Sequence, residues 1–327
     1  MTSSGFDLPP NPARRVLCVG AAVLDTLFRV HSLPTGQGKI LPYEMLQVAE
    51  GMASSAAFAV ARLGGHASLW GAVGDDATGE RIISDLGDSD IDTSGMTVVQ
   101  GARSAVSTIL IDDEGERLIV PFYDARLHDT VRPVTEQEIS AFDAVLVDVR
   151  WPKLALRTLI AAGKAAKPAI LDGDVAGEGV IEMLAPAASH IIFSQPAAER
   201  LAGTADLVGT VGLLKRKFAH AFISVTAGEN GSLWFDDASG DIRRLVAPKV
   251  RAIDTLAAGD IFHGAFALAI AENMPIEEAM RLSSMAAALK CRKFGGRIGA
   301  PTRVEVCEAL RDWDVGAVSA GKRNRER

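Results

Sequence analysis

The sequence predicts an α/β fold, in which helices cover both faces of a mostly parallel sheet and a small β-sheet forms a lid at one edge. Short apolar runs suited to buried strands alternate with helical patterns through most of the chain. This alternation is typical of parallel sheets joined by crossover helices. Residues 27–50 and 100–126 depart from it, because they show the two-residue periodicity and the turn residues of antiparallel strands.

The elements of the larger part follow in chain order. The segment RVLCVG at 15–20 predicts the first buried strand. Later apolar runs predict strands at 67–74, 144–150, 169–174, 190–194 and 222–228. Helical patterns occupy 152–166 and 209–220, and two long apolar helices follow at about 258–273 and 275–293. Within the lid, DDEG at 112–115 predicts a hairpin turn.

Composition limits the possible functions. The chain has 327 residues, of which 48% are hydrophobic, as in an ordinary globular protein. Its net charge of −7 argues against a general nucleic-acid or membrane-surface binder. Cys18, Cys291 and Cys307 lie far apart, so we expect neither a zinc site nor a disulfide framework. No apolar run approaches the roughly 20 residues of a membrane span, and we expect a cytoplasmic protein.

One domain should account for nearly all of the chain. We expect it to extend over residues 14–314 and to include the lid segments at about 27–50 and 100–126. Residues 1–13 and 315–327 are rich in polar residues, and both predict loose tails.

The most informative segment is RAIDTLAAGDIFHGAF at 251–266, where small residues precede a helix that is apolar almost all round. Such a helix should be buried, and the N–H groups of its first turn then need partners. An anion is a natural partner, because these N–H groups and the helix dipole both attract negative charge. The small residues Ala257, Ala258 and Gly259 would let a phosphate approach the backbone.

Asp260 falls in the first turn of the same helix. A carboxylate there could accept the proton of a hydroxyl that attacks a bound phosphoryl group. A helix-capping role, favoured by the dipole, fits the spacing as well. The spacing alone leaves both interpretations open.

The segment DTLAAGD at 254–260 resembles the signature D-T-x-G/A-A-G-D of the ribokinase family, the pfkB carbohydrate kinases. The similarity covers roughly residues 15–312. It implies a three-layer α/β/α domain with a β lid, and an enzyme that uses ATP and Mg²⁺ to phosphorylate a hydroxyl of a small sugar. It also implies that Asp260 is the catalytic base and that residues 257–260 form the anion hole.

The same resemblance implies sugar-binding residues near the N-terminus. In VGAAVLDTLFRV, Asp25 matches the carboxylate that holds sugar hydroxyls. The segment EGMASSAAFAVARLGG resembles the substrate loop, with Gly51 as its second glycine and Glu50 in place of the first. Ser55 stands where ribokinases have a sugar-binding Asn, so ribose is a poor guess for the substrate.

Nucleotide and cation sites are implied further along the chain. The segments SVTAGENGS (224–232) and ALKCRKFGGRIGAP (288–301) resemble the regions around the nucleotide. The residues implied there for the nucleotide are Thr226, Gly228, Gly231 and Gly295. Asp254 and Gly299 lie where the family contacts a monovalent cation, and the resemblance implies that this cation is K⁺.

The chain lacks the N-x-x-E motif that helps the family to organise Mg²⁺, and Ser194-Gln195-Pro196-Ala197 stands in its place. The metal must then rely on water, on phosphates or on other carboxylates such as Asp172 or Asp174.

Several short stretches resemble a subgroup of the family that phosphorylates the anionic ketose 6-deoxy-6-sulfofructose. They are GK at 38–39, DVRW at 148–151, LDGD at 171–174, FSxP at 193–196 and the segment at 288–301. The likeness implies that Lys39 and Arg150 bind the sulfonate. The lysine ammonium would act as a point charge and the arginine guanidinium as a planar group with two parallel donors. A solvated lysine and an ordinary ion pair are the alternatives, and Pro121 replaces an Asn of that pocket.

Other functions stay open at this point. Fructose, a fructose phosphate, a sugar acid or a nucleoside could be the substrate instead. A catalytically silent sugar-binding protein is a remote alternative. A dinucleotide oxidoreductase is disfavoured, because GAAVLD follows the first strand where G-x-G-x-x-G would be needed. The open β edges of the lid predict a homodimer in which two lids pack together.

Overall fold

The computed structural model describes residues 13–129 and 131–313, and the backbone of residues 318–320. Its strands are β1 Arg15–Val19, β2 Val23–Arg29, β3 Glu44–Glu50, β4 His66–Trp70, β5 Ala72–Gly74, β6 Ile91–Asp92, β7 Thr97–Val99, β8 Val106–Ile111, β9 Arg117–Phe122, β10 Ala144–Val147, β11 Ala169–Gly173, β12 His190–Ser194, β13 Phe222–Thr226, β14 Ser232–Asp236, β15 Asp241–Leu245 and β16 Val318–Ala320.

The α-helices alternate with these strands, as the sequence predicts. They are α1 Met52–Arg62, α2 Ala77–Gly87, α3 Glu136–Ile139, α4 Pro152–Lys164, α5 Val180–Leu184, α6 Gln195–Ala202, α7 Leu207–Lys217, α8 Ala258–Ala271, α9 Ile276–Lys290 and α10 Arg303–Asp312. Short 3₁₀ turns occur at Ala125–His128, Ala185–Ala187, Gly228–Asn230 and Gly296–Gly299. Among the described residues, none of the helices has the length and apolar character needed to cross a membrane.

Ten strands form one large sheet in the order β16-β15-β14-β13-β12-β11-β10-β1-β4-β6. The strands from β13 to β6 run parallel, and β14, β15 and β16 add an antiparallel edge. The central strands β1 and β10 are apolar and buried on both faces, which is expected of parallel strands between two helical layers. The predicted three-layer α/β fold is confirmed.

The two faces of the sheet carry separate hydrophobic cores. On one face, apolar residues of α1, α2, α8, α9 and α10 pack against the sheet. On the other, residues of α4, α5, α6 and α7 do so. Helix α8 is buried along its whole length after the first turn. It approaches α1 closely at Gly264, where a Cβ atom would lie 2.2 Å from the carbonyl oxygen of Ala56.

The predicted lid is a four-stranded sheet in the order β3-β2-β8-β9. Its hairpin turn lies at the predicted place, between β8 and β9. On the inner side, Leu27, Val48 and Ile109 pack with Leu256 and Phe294, which belong to loops of the main domain. The outer strand β9 is exposed at every residue. The lid is therefore joined to the loop that precedes α8.

Two details differ from the sequence prediction. The run at 67–74 is not one strand, because Gly71 separates β4, in the large sheet, from β5, which pairs with β7. The predicted loose tail at 315–327 contains a strand, since residues 318–320 pair with β15 and cover an edge that would otherwise have unpaired backbone groups. Residues 1–12, 314–317 and 321–327 lie outside the described residues.

Candidate active site

Polar side chains collect where the parallel strands of the large sheet end. Asp148 follows β10, Asp172 lies near the end of β11, Ser194 ends β12 and Thr226 ends β13. The first turn of α8 faces the same edge, because His263 of α8 contacts both Asp172 and β12. Open α/β sheets bind ligands at this carboxyl edge.

The turn before α8 has the form that the sequence predicts for an anion hole. One carboxylate oxygen of Asp254 accepts a hydrogen bond from the Leu256 N–H at 2.8 Å. Ala257 then adopts the left-handed conformation, with φ of 60°, and α8 begins at Ala258. A Cβ atom at Gly259 would meet nothing within 4 Å. The N–H groups of this first turn lack intrahelical acceptors, so the segment offers donors beside open space.

Asp260 is recessed in this turn, and its carboxyl group titrates far from its usual range. Burial is the largest cause and raises its pKa to about 8. The negative charges of Asp172, Asp174 and Asp148 act in the same direction, whereas His263 opposes them. A carboxyl group with such a pKa can both hold and release a proton near neutral pH, which suits acid–base chemistry.

His263, one turn after Asp260, fixes the start of α8 against the sheet. Its Nδ1 lies 2.7 Å from the carbonyl oxygen of Gly259 and its Nε2 lies 3.3 Å from that of Ile192. A carboxylate oxygen of Asp172 lies 3.4 Å from Nδ1. Burial lowers the pKa of His263. The imidazole ring thus connects Asp260's turn to strands β11 and β12.

Asp148 organises the loops at the centre of this edge. One of its carboxylate oxygens accepts the N–H groups of Ala21 at 2.7 Å and Ala53 at 3.2 Å. The other accepts the N–H group of Arg150 at 2.7 Å. Burial raises the pKa of Asp148, although these donors lower it. A Cβ atom at Gly20 would lie 2.1 Å from this carboxyl group, so the close approach requires glycine.

The predicted sugar carboxylate, Asp25, lies on β2 of the lid and is almost completely buried. The Ser107 hydroxyl donates to it at 2.6 Å. Burial raises its pKa to about 6, and the Ser107 hydrogen bond lowers it.

Tyr123 lies directly after β9 of the lid. Burial raises its pKa, and the charges of Arg150, Asp25, Asp148 and Asp260 all act on it. The tyrosine therefore lies within the field of residues from both sides of the cleft. It is 46% exposed, so a bound ligand could contact it.

Ser55 does not face the cleft as the sequence predicts for a sugar ligand. Its side chain is fully buried, and its hydroxyl donates to Glu50 at 2.5 Å. The other oxygen of Glu50 accepts the N–H group of Arg297 at 2.6 Å. Burial, followed by the charge of Asp25, raises the pKa of Glu50 to about 8. The Ser55 hydroxyl is thus occupied by Glu50, which stands in the place of a glycine, and the role of Ser55 in sugar binding stays a prediction.

Gly51 keeps the backbone role expected of the substrate loop. Its φ is 115°, and a Cβ atom there would lie 2.5 Å from the carbonyl oxygen of Ala21. The position therefore favours glycine on two counts, conformation and space.

Lys39 and Arg150, the two residues predicted for the sulfonate, lie on different parts of the fold. Lys39 is exposed on the loop between β2 and β3. The guanidinium group of Arg150 contacts Asp174 at 3.0 Å and donates to the carbonyl oxygen of Val175 at 3.0 Å. Its side chain is 36% exposed, so its face toward the cleft remains available.

The glycines predicted for the nucleotide lie in turns beside this edge. Gly228 and Gly231 have φ of 55° and 86° between β13 and β14. The Thr226 hydroxyl donates to the carbonyl oxygen of Phe193 at 3.3 Å. Gly295, with φ of 114°, donates its N–H group to Asp254 at 3.0 Å. Of the predicted nucleotide residues, Gly295 therefore contacts the turn that precedes α8.

The predicted cation residues surround a lysine. The Nζ atom of Lys290 lies 3.2 Å from a carboxylate oxygen of Asp254 and 2.8 Å from the Asp254 carbonyl oxygen. A Cβ atom at Gly299 would lie 3.1 Å from the Lys290 carbonyl oxygen.

In the described part of the chain, no three His, Cys, Asp or Glu side chains are grouped so that they could bind a metal ion. Asp174 accepts the Ser194 hydroxyl at 2.9 Å and pairs with Arg150. A metal ion here would therefore reach the protein through water and phosphate oxygens.

Sequence reasoning missed the roles of several residues: Glu50, Tyr123, Asp148, His263, Lys290 and Arg297. Most of their contacts join distant parts of the chain. The exception is His263, which lies three residues after Asp260 on the same helix and could have been found from that spacing.

Comparison with known proteins gives one family. The model described as "pfkB family carbohydrate kinase" matches residues 13–303. The ribokinase of Bacillus subtilis is 26% identical over 303 residues, which is 91% of this chain and 99% of that protein. The ATP-dependent ribose-1-phosphate kinase of Halopiger xanaduensis is 28% identical over 308 residues, 90% of this chain and 98% of that protein.

Solved structures show the same fold. The crystal structure of a putative ribokinase from Agrobacterium tumefaciens superposes with a TM-score of 0.91, at 62% identity over 92% of this chain and 99% of that chain. Arabidopsis thaliana ribokinase complexed with ribose and ATP superposes with a TM-score of 0.78 at 22% identity, over 93% of this chain and all of that chain.

The raised pKa of Asp260 predicts a gain in stability on its replacement. Between about pH 4 and pH 8 the folded protein retains a proton that the unfolded chain has released, so stability falls as pH rises. Asp260→Asn cannot lose that proton. Its free energy of unfolding should exceed that of the wild type by about 1–2 kcal/mol at pH 8, and the difference should shrink toward pH 4.

Denaturant unfolding at several pH values measures this difference. Asp237→Asn is the control, because Asp237 is 63% exposed and pairs only at the surface with Lys215. Parallel pH profiles for Asp260→Asn and the wild type would show that Asp260 titrates normally.

Proposed function

Since the chain belongs to the pfkB family of carbohydrate kinases and is an ATP-dependent kinase, we propose that it phosphorylates a primary hydroxyl of an anionic ketose such as 6-deoxy-6-sulfofructose. The observation that carries the reaction is the position of Asp260. Its carboxyl group has a raised pKa and lies in the first turn of α8, beside N–H groups suited to a phosphate. Base and anion site are thus adjacent in one helical turn.

The chemistry follows from this arrangement. The sugar oxygen forms a bond to the γ-phosphorus of ATP while the bond between that phosphorus and the bridging oxygen of ADP breaks. The hydroxyl proton passes to the Asp260 carboxylate. The N–H groups of residues 257–260 donate to the oxygens of the transferred group, whose negative charge they stabilise. His263 holds the turn in place through Gly259 and Ile192.

Magnesium supplied with ATP neutralises phosphate charge and orients the chain of phosphates. The carboxyl edge fits a divalent cation, because the charges of Asp172, Asp174 and Asp148 all act on Asp260. Asp174 would hold the ion through water, since its oxygens already accept from Ser194 and Arg150. Positive charge near Asp260 would lower the pKa of its carboxyl group toward the form that accepts a proton.

The sugar would lie between the lid and the carboxyl edge of the sheet. Asp25 from β2 would accept hydroxyl hydrogens, and Gly51 would let the sugar approach the loop before α1. Tyr123 follows β9 of the lid and is 46% exposed. Burial raises the pKa of its hydroxyl, and the charges of both Asp25 and Asp260 act in the same direction. Closure of the lid would exclude water and limit hydrolysis of ATP.

The position of Arg150 favours a sugar that carries an anionic substituent. Arg150 is the cation whose charge acts on Tyr123 and on the buried Asp148 and Asp172. Its guanidinium could bind a sulfonate or phosphate with two parallel hydrogen bonds. Lys39, on the lid loop, would add a second positive charge when the lid closes.

A neutral ketose is the second candidate. The ion pair of Arg150 with Asp174 favours it, because that carboxylate already offsets part of the guanidinium charge. The fructokinase-1 of Oryza sativa is also a relative, at 26% identity over 80% of this chain.

Arg150→Ala distinguishes the two candidates. For 6-deoxy-6-sulfofructose we expect kcat/KM to fall about 100-fold, mostly through KM, because a charge-assisted bidentate contact contributes roughly 2–3 kcal/mol. Activity on fructose should barely change. Steady-state kinetics with 6-deoxy-6-sulfofructose, fructose 6-phosphate and fructose provide the measurement.

Arg243→Ala is the matched control for that experiment. Its side chain is also 36% exposed and is paired with an aspartate, Asp236, but it lies on the outlying strand β15. Equal losses on fructose and on the anionic sugars with Arg150→Ala would show that Arg150 is structural. A wild type that strongly prefers fructose would favour the neutral ketose.

We also propose that the outer face of the lid packs against the lid of a second copy. Strand β9 offers an unpaired edge, and its apolar side chains are exposed, with Val120 at 61%. Leu41 and Met45 extend this apolar area, at 80% and 58% exposed. An open edge with such side chains is normally covered.

Val120→Asp should convert the dimer to a monomer, because two charges would face each other across the contact. Light scattering at micromolar concentration measures the mass. Val304→Asp is the control, since Val304 is 65% exposed but lies in the first turn of α10, where an acidic residue is favourable. A wild type that is already monomeric would contradict the lid dimer.

A further inference from the structure

Lys290, the last residue of α9, is completely buried. Its side chain points toward the loop before α8, where Nζ lies 2.8 Å from the carbonyl oxygen of Asp254 and 3.2 Å from a carboxylate oxygen of the same residue. Fully buried lysines are rare unless they are paired. Here both acceptors belong to the residue for which the family resemblance implies a monovalent cation.

Four groups of the chain surround the carboxylate of Asp254, one at one oxygen and three at the other. One oxygen accepts the Leu256 N–H group at 2.8 Å. The other accepts the N–H groups of Gly295 at 3.0 Å and Gly296 at 2.9 Å, and also faces Lys290 Nζ. A carboxylate has about four acceptor positions. Nζ of Lys290 already lies beside a carboxylate oxygen and the carbonyl oxygen of Asp254. A potassium ion held by these two oxygens would have to displace the ammonium group, so the residues present do not fit a bound monovalent cation.

We propose that the Lys290 ammonium group takes the place of the monovalent cation, so that this kinase needs no K⁺. The ammonium group carries the same single positive charge and is held by the same kinds of oxygen atom. Because it is covalently attached, its presence does not depend on the ion concentration of the solution. The inference rests on the proposed function for its activity measurement, but its stability measurement does not.

The position of Lys290 explains how one charge can influence the active site. The N–H groups of Ile253 and Asp254 both donate to the carbonyl oxygen of Cys291, at 2.7 and 3.2 Å. The end of α9 therefore holds the start of the 254–257 turn, while the Lys290 charge balances the Asp254 carboxylate inside it. That turn leads to Ala257, whose φ of 60° sets the beginning of α8. Lys290 is a positioning residue for the anion hole.

The surroundings of Lys290 hold one further positive group. Arg117 of the lid strand β9 donates to the Thr255 hydroxyl, directly after Asp254. The charges of Lys290 and Arg117 both act on Cys291, as does that of Asp254. Removal of Lys290 leaves the buried Asp254 carboxylate without its nearest counter-charge, and a small cation could then enter the space.

The first arm of the test uses the wild-type protein. Its kinase rate and its melting temperature are measured with K⁺, NH₄⁺ or tetramethylammonium as the only monovalent cation, at constant ionic strength. We expect changes below about twofold in rate, and melting temperatures that do not depend on which cation is present, because only an ion that binds the folded state stabilises it. A tenfold stimulation by K⁺, or a rise in melting temperature specific to K⁺, would overturn the proposal.

The second arm uses Lys290→Ala and Lys290→Gln. In tetramethylammonium both variants should melt below the wild type and lose at least tenfold in rate. K⁺ or NH₄⁺ should raise the melting temperature of Lys290→Ala and recover part of its rate, whereas tetramethylammonium is too large to enter. Lys293→Ala is the control, because Lys293 lies just beyond the end of α9, is 56% exposed and pairs with Glu305 at the surface.

The outcomes separate this proposal from the proposed function. If the protein shows no kinase activity on any sugar, the melting temperatures still test the role of Lys290, because they do not depend on the proposed function. A Lys290→Ala variant that matches the wild type in tetramethylammonium, in both melting temperature and rate, would contradict a role for the ammonium group. If neither variant folds, the K⁺ response of the wild type decides.

Discussion

The beginning of helix α8 is the constraint on which the site depends. An apolar helix buried between α1, α9 and the sheet must start with N–H groups that have no acceptors in the helix. The chain leaves those groups beside open space at Gly259. It fixes the preceding turn through Asp254 and Lys290, and the following turn through His263. This arrangement favours the binding of an anion at the start of α8.

The carboxyl groups crowded at the same edge destabilise the folded protein. Asp148, Asp172, Asp174 and Asp260 act on one another through a poorly solvated region, and burial raises the pKa of Asp260 and Asp172. Such crowding opposes folding, because charging a buried carboxyl group is unfavourable. The same crowding provides a proton acceptor near neutral pH and a place for the cation that accompanies ATP. Stability and function therefore conflict at this edge.

Local sequence patterns were enough to predict the large sheet, the lid and the turn at 254–260. Each depends on neighbouring residues, such as the small residues that precede an apolar helix. The missed features depend on distant contacts, which one sequence does not reveal. Glu50 meets Arg297, and Asp148 meets Ala21, only after the chain has folded. Ser55 was assigned by analogy with an asparagine, but the replacement of a glycine by Glu50 had changed its surroundings.

Lys290 shows a different limit of sequence reasoning. The resemblance assigned Asp254 and Gly299 to a monovalent cation but gave no role to the lysine beside Asp254. Lysine is common at the C-terminal end of helices, where its charge normally faces solvent and interacts favourably with the helix dipole. Only the packing shows that this lysine turns inward to Asp254.

The central claim is that Asp260 accepts the proton of the attacking hydroxyl, and single-turnover kinetics of Asp260→Asn test it most directly. With ATP and the best sugar of the wild type, the rate of phosphoryl transfer should fall about 10²–10⁴-fold, the range for loss of a general base, while ATP affinity is retained. A variant that transfers the phosphoryl group at nearly the wild-type rate would contradict the account.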